Sequence, residues 1–350
     1  MIKFSICIPN FNYAEYLRLT IQSVLDQTYL PFEIIVADNA STDHSVSVVK
    51  SFNSDKIKLV ENKFNIGFAP NLDKATEFAS GDYMILLSSD DLMRPDALME
   101  YAKIIESNKG LENPLIVMSA CNVIDEKGAV KGHKNAMTGD VIVYLEKNSP
   151  YRKRLSPNLI EHYKGHEVLK AVLSGSFQPA GQFLTTCYAK SLYDKVEGYH
   201  APLTVLPDAF FSHKLLFQNP DVIYINQYLF EYRVHNLNNL AAFKKMNNIK
   251  HWTDNYLISQ SFSTQNLSKL NLKPDDLHHT FINSLIYACK TNFLNGYGSR
   301  IPRLLAIGYA AYPKILLRNV SFYILIITMP FSIFIGSTYN FYNSLKTKKI

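Results

Sequence analysis

Gly81-Asp82-Tyr83-Met84-Ile85-Leu86-Leu87-Ser88-Ser89-Asp90-Asp91 holds a strand and its polar exit in one stretch. Gly81 breaks a helix expected over Asn71–Ala79, Tyr83–Leu87 is an apolar run, and two adjacent acids follow at its carboxyl end. Working towards the N-terminus, Lys56–Val60 reads as a strand and Asn65-Ile66-Gly67 as the turn after it. Phe32–Ala37 is nearly all apolar, the pattern of a strand covered on both faces. Asn39-Ala40-Ser41-Thr42-Asp43 can cap a helix over Val46–Phe52. Leu17, Ile21, Val24 and Leu25 share one face of a helix over Ala14–Gln27, and Lys3–Pro9 is the first strand. Towards the C-terminus, Pro95 suits the first turn of a helix over Ala97–Glu106, and Pro114–Ile124 gives a fifth strand. Such alternation predicts an α/β chain with a doubly wound, Rossmann-like, mostly parallel sheet. Ligands of such sheets bind beyond the carboxyl ends of the strands, where Pro9-Asn10, Asp38-Asn39 and Asp90-Asp91 fall.

No GxGxxG follows the first strand, which argues against a dinucleotide fold, and no GxxxxGK[ST] occurs. What remains is a nucleotide site whose phosphates are neutralised by a metal on carboxylates. Adjacent acids at a strand end suit a hard cation such as Mg²⁺ or Mn²⁺, although the same pair can simply cap the next helix. Cys7, Cys121, Cys187 and Cys289 lie far apart, excluding a disulfide scaffold and a zinc ribbon. The opening Met1–Asn10 has neither the apolar length nor the cleavage site of a secretory leader, so a cytoplasmic catalytic body is expected.

Five ordered blocks then carry a resemblance. They are Phe4–Asn12 with Leu17–Tyr29, Glu33–Asp43, Asn65–Asp91, Gly181–Phe217 and Tyr228–Asn239. Together they resemble family 2 glycosyltransferases of the inverting GT-A fold, of the kind that builds bacterial surface polysaccharide, over roughly residues 3–240. The resemblance implies that Pro9, Asn10 and Asn12 form the first nucleotide-binding loop. Asp38 and Asn39 match the Asp-Asp that holds base and ribose, with Asn39 in place of the second acid. An amide oxygen can still accept from a pyrimidine N3–H, so a uracil or thymine nucleotide is implied. Asn65, Gly67 and Asn71 join the nucleotide-sugar site. Ser88-Ser89-Asp90-Asp91 matches Asp-x-Asp-Asp with its first acid lost, which puts metal and ribose contacts on Asp90 and the metal also on Asp91. Pro207-Asp208 matches the Glu-Asp pair that opens a helix, making Asp208 the catalytic base. Tyr232-Arg233-Val234-His235 closes over the diphosphate, with His235 a candidate metal ligand and Arg233 a partner for a carboxylate. A divalent cofactor, Mn²⁺ or Mg²⁺, is thereby implied.

The 350 residues carry 36 Lys+Arg against 30 Asp+Glu, and the excess is concentrated at one end. No acid follows Asp276, whereas Lys290, Arg300, Arg303, Lys314, Arg318, Lys346, Lys348 and Lys349 do. Val320–Tyr339 is uncharged over 20 positions. Basic residues beside such a run point to anionic lipid and away from nucleic acid. Pro330 interrupts the run, so a peripheral or re-entrant attachment to the cytoplasmic face of the inner membrane is expected, with one spanning helix the alternative. Helices are expected over Met246–Phe262, Pro274–Phe293 and Arg300–Arg318, and a polar excursion over Lys127–Pro157.

The expected organisation is a catalytic domain over residues 1–240, a helical extension over 241–299, and a membrane-associating appendage over 300–350. Within the catalytic domain, residues 1–125 are expected to hold the nucleotide sugar and residues 126–240 the acceptor. The expected activity is transfer of a sugar from a UDP- or dTDP-sugar to a hydroxyl of a lipid-linked glycan. The losses at Ser88 and Pro207 leave a second reading, a sugar-nucleotide-binding or scaffold protein without turnover. A nucleotidyltransferase is disfavoured because no Gly-rich, Arg/Lys-bearing loop follows the first strand.

Overall fold

The computed structural model describes residues 1–134, 160–174, 184–199, 203, 206–235, 249–294, 297–328 and 330. The chain divides into two compact units, Met1–Ala241 and Ala242–Ile350.

The first unit begins β1 (Phe4–Asn10), α1 (Ala14–Leu25), β2 (Glu33–Asp38), α2 (Ser45–Ser51), β3 (Ile57–Glu61), α3 (Phe68–Thr76) and β4 (Tyr83–Leu86). It continues with β5 (Leu92–Met93), α4 (Ala97–Ser107), β6 (Leu115–Ile124), β7 (Val130–Lys134), β8 (Ile160–Lys164) and α5 (Gly165–Leu173). Then come β9 (Thr186–Ala189), α6 (Lys190–Lys195), α7 (Pro207–Phe217) and β10 (Asp221–Arg233). The sheet order is β3-β2-β1-β4-β9-β6-β10-β5, with β7 on β6 and β8 on β10. β1, β2, β3 and β4 pair in parallel, and β6 pairs in parallel with β10. β9 runs antiparallel between β4 and β6, so β6 and β10 regain the direction of β1. The carboxyl ends of β1, β2, β4, β6 and β10 therefore share one edge, and a doubly wound, mostly parallel sheet is present.

The apolar periodicities account for this packing. α1 buries Leu17, Ile21 and Val24 against Ile6, Ile8, Ile34 and Val36 of β1 and β2. Asp43 holds the start of α2 by accepting from Ser45 N and Ser45 Oγ at 3.0 and 2.6 Å. α3 begins and ends three residues before its expected bounds. Gly67, at φ +93°, makes the turn into it, Pro70 fits its first turn, and Thr76 Oγ1 bonds back to Leu72 O at 2.9 Å near its end. At Gly81 a Cβ would lie 2.6 Å from Lys3 O, so β4 enters the sheet only with glycine there. Some of the expected polar excursion is strand, β7; residues 135–159 lie outside the described residues.

The second unit contains α8 (Ile249–Gln260), α9 (Thr264–Lys269), α10 (Pro274–Leu294), α11 (Ile301–Ala311), α12 (Pro313–Leu317) and α13 (Val320–Thr328). Trp252, Phe281, Ile282, Leu285, Ile301, Leu305, Leu316 and Leu325 form its core. The single helix expected over Arg300–Arg318 is two helices. Pro313 drives Tyr312 out of helical geometry, to φ −142° and ψ 69°, and the chain breaks there. α9 is too short for periodicity to reveal; Ser263 caps it by accepting from Asn266 N at 3.1 Å. Of the uncharged run 320–339, only 320–328 and 330 are described, and no helix among the described residues is long and apolar enough to cross a membrane.

Candidate active site

Strand pairing assembles the site. Asn10, last in β1, is in register with Asp38, last in β2. Asn10 Nδ2 donates to Asp38 Oδ2 at 2.8 Å, and Ser41 donates to both Asp38 oxygens, through N at 2.8 Å and Oγ at 2.7 Å. Asn12, in the left-handed region at φ 57°, accepts from Thr42 N at 2.7 Å through Oδ1 and donates from N to Ser41 Oγ at 2.9 Å. This makes a rigid two-loop cradle around a buried carboxylate. Asn10 Oδ1 is buried with no hydrogen-bond partner among the described residues. Pro9 precedes it at the strand end, without a hydrogen-bonding side chain of its own.

Asn39, expected to meet the base, has a side chain that is hydrogen-bonded within the chain. Its Oδ1 accepts from Ile66 N at 2.9 Å and Asn62 Nδ2 at 3.1 Å, and its Nδ2 donates to Asn65 Oδ1 at 2.9 Å and Gly67 O at 3.2 Å. Both lone pairs of the amide oxygen are engaged within the chain. Asn62 also donates to Asn71 Oδ1 at 2.9 Å, and Asn71 Nδ2 reaches Ala37 O at 3.1 Å. Asn39, Asn65, Gly67 and Asn71 are thus brought together, as a clamp holding the loop between β3 and α3. Asn62, the connecting member, is absent from the expected set; its only signal is an asparagine directly after a strand.

The two acids after β4 have different environments. Asp91 is 1% exposed; its Oδ1 accepts from Arg233 N at 2.8 Å, and its carbonyl accepts from Thr20 Oγ1 at 2.8 Å. Asp90 is 9% exposed, and its Oδ2 lies 3.0 Å from His235 Nε2. This meeting is made by β5, which pairs antiparallel with Phe230–Glu231 of β10 and carries the end of β10 over the acids. Arg233 completes the closure. Its guanidinium donates to the carbonyls of Asp90 at 2.9 Å and of Asp125 and Glu126 at 3.2 Å, while its backbone N–H serves the Asp91 carboxylate. The His235 ring sits against Tyr16 at 4.7 Å and Tyr13 at 5.6 Å, and the guanidinium lies 5.1 Å over Tyr16. Burial first, and the nearby Asp90 and Asp91 after it, push the phenols of Tyr13 and Tyr232 well above their ordinary range. Tyr13 and Tyr16 are not among the expected site residues, because aromatic positions at the start of a helix read as core.

Among the described residues no three His, Cys, Asp or Glu side chains are grouped to hold a metal. The Asp90–His235 pair nevertheless fits a hard divalent cation that takes its other ligands from substrate phosphates, which is how Mg²⁺ is usually bound. Asp91, the other acid expected to hold the metal, accepts from Arg233 N through Oδ1.

Asp208 sits in the first turn of α7 behind Pro207. Burial pushes its carboxyl up from 3.8 to about 6. Beside it, Tyr199 stacks on Phe211 at 3.9 Å, and Tyr199 N donates to Asp73 Oδ1 of α3 at 2.9 Å. Glu197 and Gly198 take left-handed conformations at φ 56° and 74°, and Lys214 Nζ of α7 donates to Gly198 O at 2.5 Å. The expected glycine-aromatic segment thus packs against the helix that carries Asp208.

Residues 5–166 match the model of the glycosyl transferase family 2. The putative glycosyltransferase EpsE of Bacillus subtilis (strain 168) is 33% identical over 129 residues, 36% of this chain and 45% of that protein. The UDP-Glc:alpha-D-GlcNAc-diphosphoundecaprenol beta-1,3-glucosyltransferase WfgD of Escherichia coli is 33% identical over 105 residues, 30% of this chain and 42% of that protein. The matched stretch thus spans less than half the length of these relatives. The crystal structure of S. aureus TarS 1-349 in complex with UDP-GlcNAc superposes with a TM-score of 0.63 at 14% identity, over 97% of this chain and 92% of that one. The α/β architecture is accordingly of the GT-A kind.

Proposed function

We propose that this chain, which carries a family 2 glycosyltransferase domain, moves a sugar with inversion from a UDP- or dTDP-sugar to a hydroxyl of a lipid-linked glycan. One observation carries the reading: the hydrogen-bonded cradle at Asn10 and Asp38 shares a sheet edge with the Asp90–His235 pair. The name of WfgD supports a UDP-sugar donor and a lipid-linked acceptor, and the UDP-GlcNAc complex of TarS supports the donor class alone. In this reading residues 1–125 hold the donor, 126–240 receive the acceptor, and residues 300–350, beyond the extension over 241–299, serve attachment at the cytoplasmic membrane face.

Asp38 and Asn10 Oδ1 supply the acceptors that read base and ribose, on a loop stiffened by Asn12. Asn39, Asn62, Asn65 and Asn71 hold the neighbouring loop so that Gly67 leaves room for the nucleotide. Asp90 and His235 would hold Mn²⁺ or Mg²⁺, which supplies charge neutralisation for the departing diphosphate. Asp91 and Arg233 keep Asp90 and His235 in register. Asp208 accepts the proton of the attacking hydroxyl. With its carboxyl near 6 it is ionised at neutral pH yet more basic than an exposed aspartate, the compromise that suits a general base.

The test is to incubate the purified chain with Mn²⁺, a panel of sugar nucleotides and polyprenyl-diphosphate glycan acceptors, and to measure free UDP or dTDP and product anomer. Acceptor-dependent release with an inverted anomeric centre is expected. Donor binding without release across the panel would favour a non-catalytic role, and a retained anomeric configuration would overturn the mechanism.

A further inference from the structure

α13 is apolar at every position but Ser321 and Thr328, yet most of it faces water. Phe322 and Leu325 turn towards the core of the second unit. Val320, Tyr323, Ile324 and Ile327 stand at i, i+3, i+4 and i+7, a regular helical stripe, and are 73, 48, 55 and 71% exposed. The helix therefore has two apolar faces and only one core. Just before it, Tyr309 of α11 and Leu317 of α12 are also exposed, and so are Arg303, Lys314 and Arg318. Close packing fixes these helices together within the unit. Gly308 lets α11 approach α10 and α12, a Cβ there lying 3.4 Å from Ile282, Leu285 and Leu316 side chains. Tyr323 OH donates to Leu317 O at 2.9 Å, tying α13 to α12.

We infer that α11 to α13 form an interfacial docking surface for an anionic lipid bilayer, with the Val320-Tyr323-Ile324-Ile327 stripe entering the acyl boundary and Arg303, Lys314 and Arg318 meeting lipid phosphates. Charge selects this occupant. The chain has no acid after Asp276, so two copies meeting through this face would set cations against cations. A nucleic acid would meet the cations but leave the apolar stripe uncovered. An anionic bilayer satisfies both features at once, as basic amphipathic helices do. The nine described residues of α13 extend about 14 Å against the ~30 Å of the hydrocarbon layer, a length that suits the interfacial placement proposed for them. The inference rests on the proposed reading of a lipid-linked acceptor and gives that reading a physical place.

The full chain is sedimented with vesicles of pure phosphatidylcholine and of equimolar phosphatidylcholine and phosphatidylglycerol. Binding to the anionic vesicles alone is expected, weakening as salt is raised. Each basic residue near the surface is worth about fivefold in partitioning, so Arg303→Gln with Lys314→Gln and Arg318→Gln should lower binding about 10²-fold. Ile324→Glu with Ile327→Glu should abolish it. Both side chains are exposed, so circular dichroism and UDP binding should match wild type. Lost vesicle binding with intact UDP binding supports the surface. Wild-type chain left in the supernatant, equal binding to both vesicle types, full binding by the double Glu variant, or self-association through these residues in place of binding would each overturn it. UDP binding and release are read separately, so failure of the membrane surface does not register as failure of the transferase.

Discussion

Replacing Asp208 with Asn should change activity and stability in opposite directions. The carboxyl titrates near 6 in the folded chain against 3.8 for an ordinary aspartate, and the main cause is loss of water around it. The folded state therefore resists ionisation. As pH rises from about 4 to about 6 the unfolded chain releases this proton first, and stability falls through that window. Two pKa units correspond to about 3 kcal/mol, an upper bound on the cost above pH 6. Asn keeps the shape, and its oxygen can accept from the backbone N–H groups of Asp208 and Ala209 that the carboxylate now uses. It carries no charge, so the variant should be more stable than wild type at neutral pH by about 1–3 kcal/mol, and equal to it near pH 4.

The same substitution removes the proton acceptor. Transfer should slow by about 10²- to 10⁴-fold while UDP binding stays within a fewfold of wild type. Wild-type kcat/KM should fall tenfold per unit below pH 6, and the residual rate of the variant should lack that limb. Thermal denaturation across the pH range, isothermal titration with UDP and initial rates of nucleotide release together read all three effects. Wild-type turnover in Asp208→Asn would move the base elsewhere. Lower stability than wild type at neutral pH would refute the desolvation argument, whatever the activity.

Asp90→Ala, or His235→Ala, should abolish Mn²⁺-dependent donor binding while leaving metal-free UDP binding unchanged; donor affinity that stays Mn²⁺-dependent in the double variant would remove the cation from this pair. Asn39→Asp places a carboxylate oxygen where an amide now donates to Asn65 Oδ1 and Gly67 O. The repulsion should cost about 1–3 kcal/mol, read as a raised donor KM at nearly constant kcat, and an unchanged KM would show that the asparagine clamp is immaterial to binding. Gly81→Ala drives a methyl against Lys3 O at 2.6 Å and Ser5 Oγ at 2.7 Å, and should destabilise the chain by about 1–3 kcal/mol; an unchanged denaturation midpoint would mean that β1 and β4 can part without cost.

Much of the first unit can be read from local pattern. The stripe at Leu17, Ile21 and Val24 belongs to a helix with one buried face, and the apolar Phe32–Ala37 run belongs to a strand covered on both sides. Both signals are local, and both survive in the fold. The break at Tyr312 is also local: the basic periodicity across Arg300–Arg318 reads as one helix, but the steric demand of Pro313 on its predecessor outweighs it. The asparagine clamp is less accessible, since Asn39, Asn62 and Asn71 acquire their partners only when β2, β3 and α3 come together.

The roles of Asp90 and Asp91 depend on the most remote contacts of all. In sequence the two acids are neighbours of one type, and nothing within ten residues separates them. What separates them is Arg233, whose N–H takes the Asp91 carboxylate while its guanidinium takes the Asp90 carbonyl. One residue thus fixes both the inward acid and the backbone of the outward one, and His235, two residues on, meets the carboxylate that remains. That geometry requires the two-residue strand β5 to pair with β10, which forms its own parallel ladder with β6. A change that weakens this pairing should therefore impair the acid site without touching an acid, because the strand end that orients Asp90 is the same one that delivers His235.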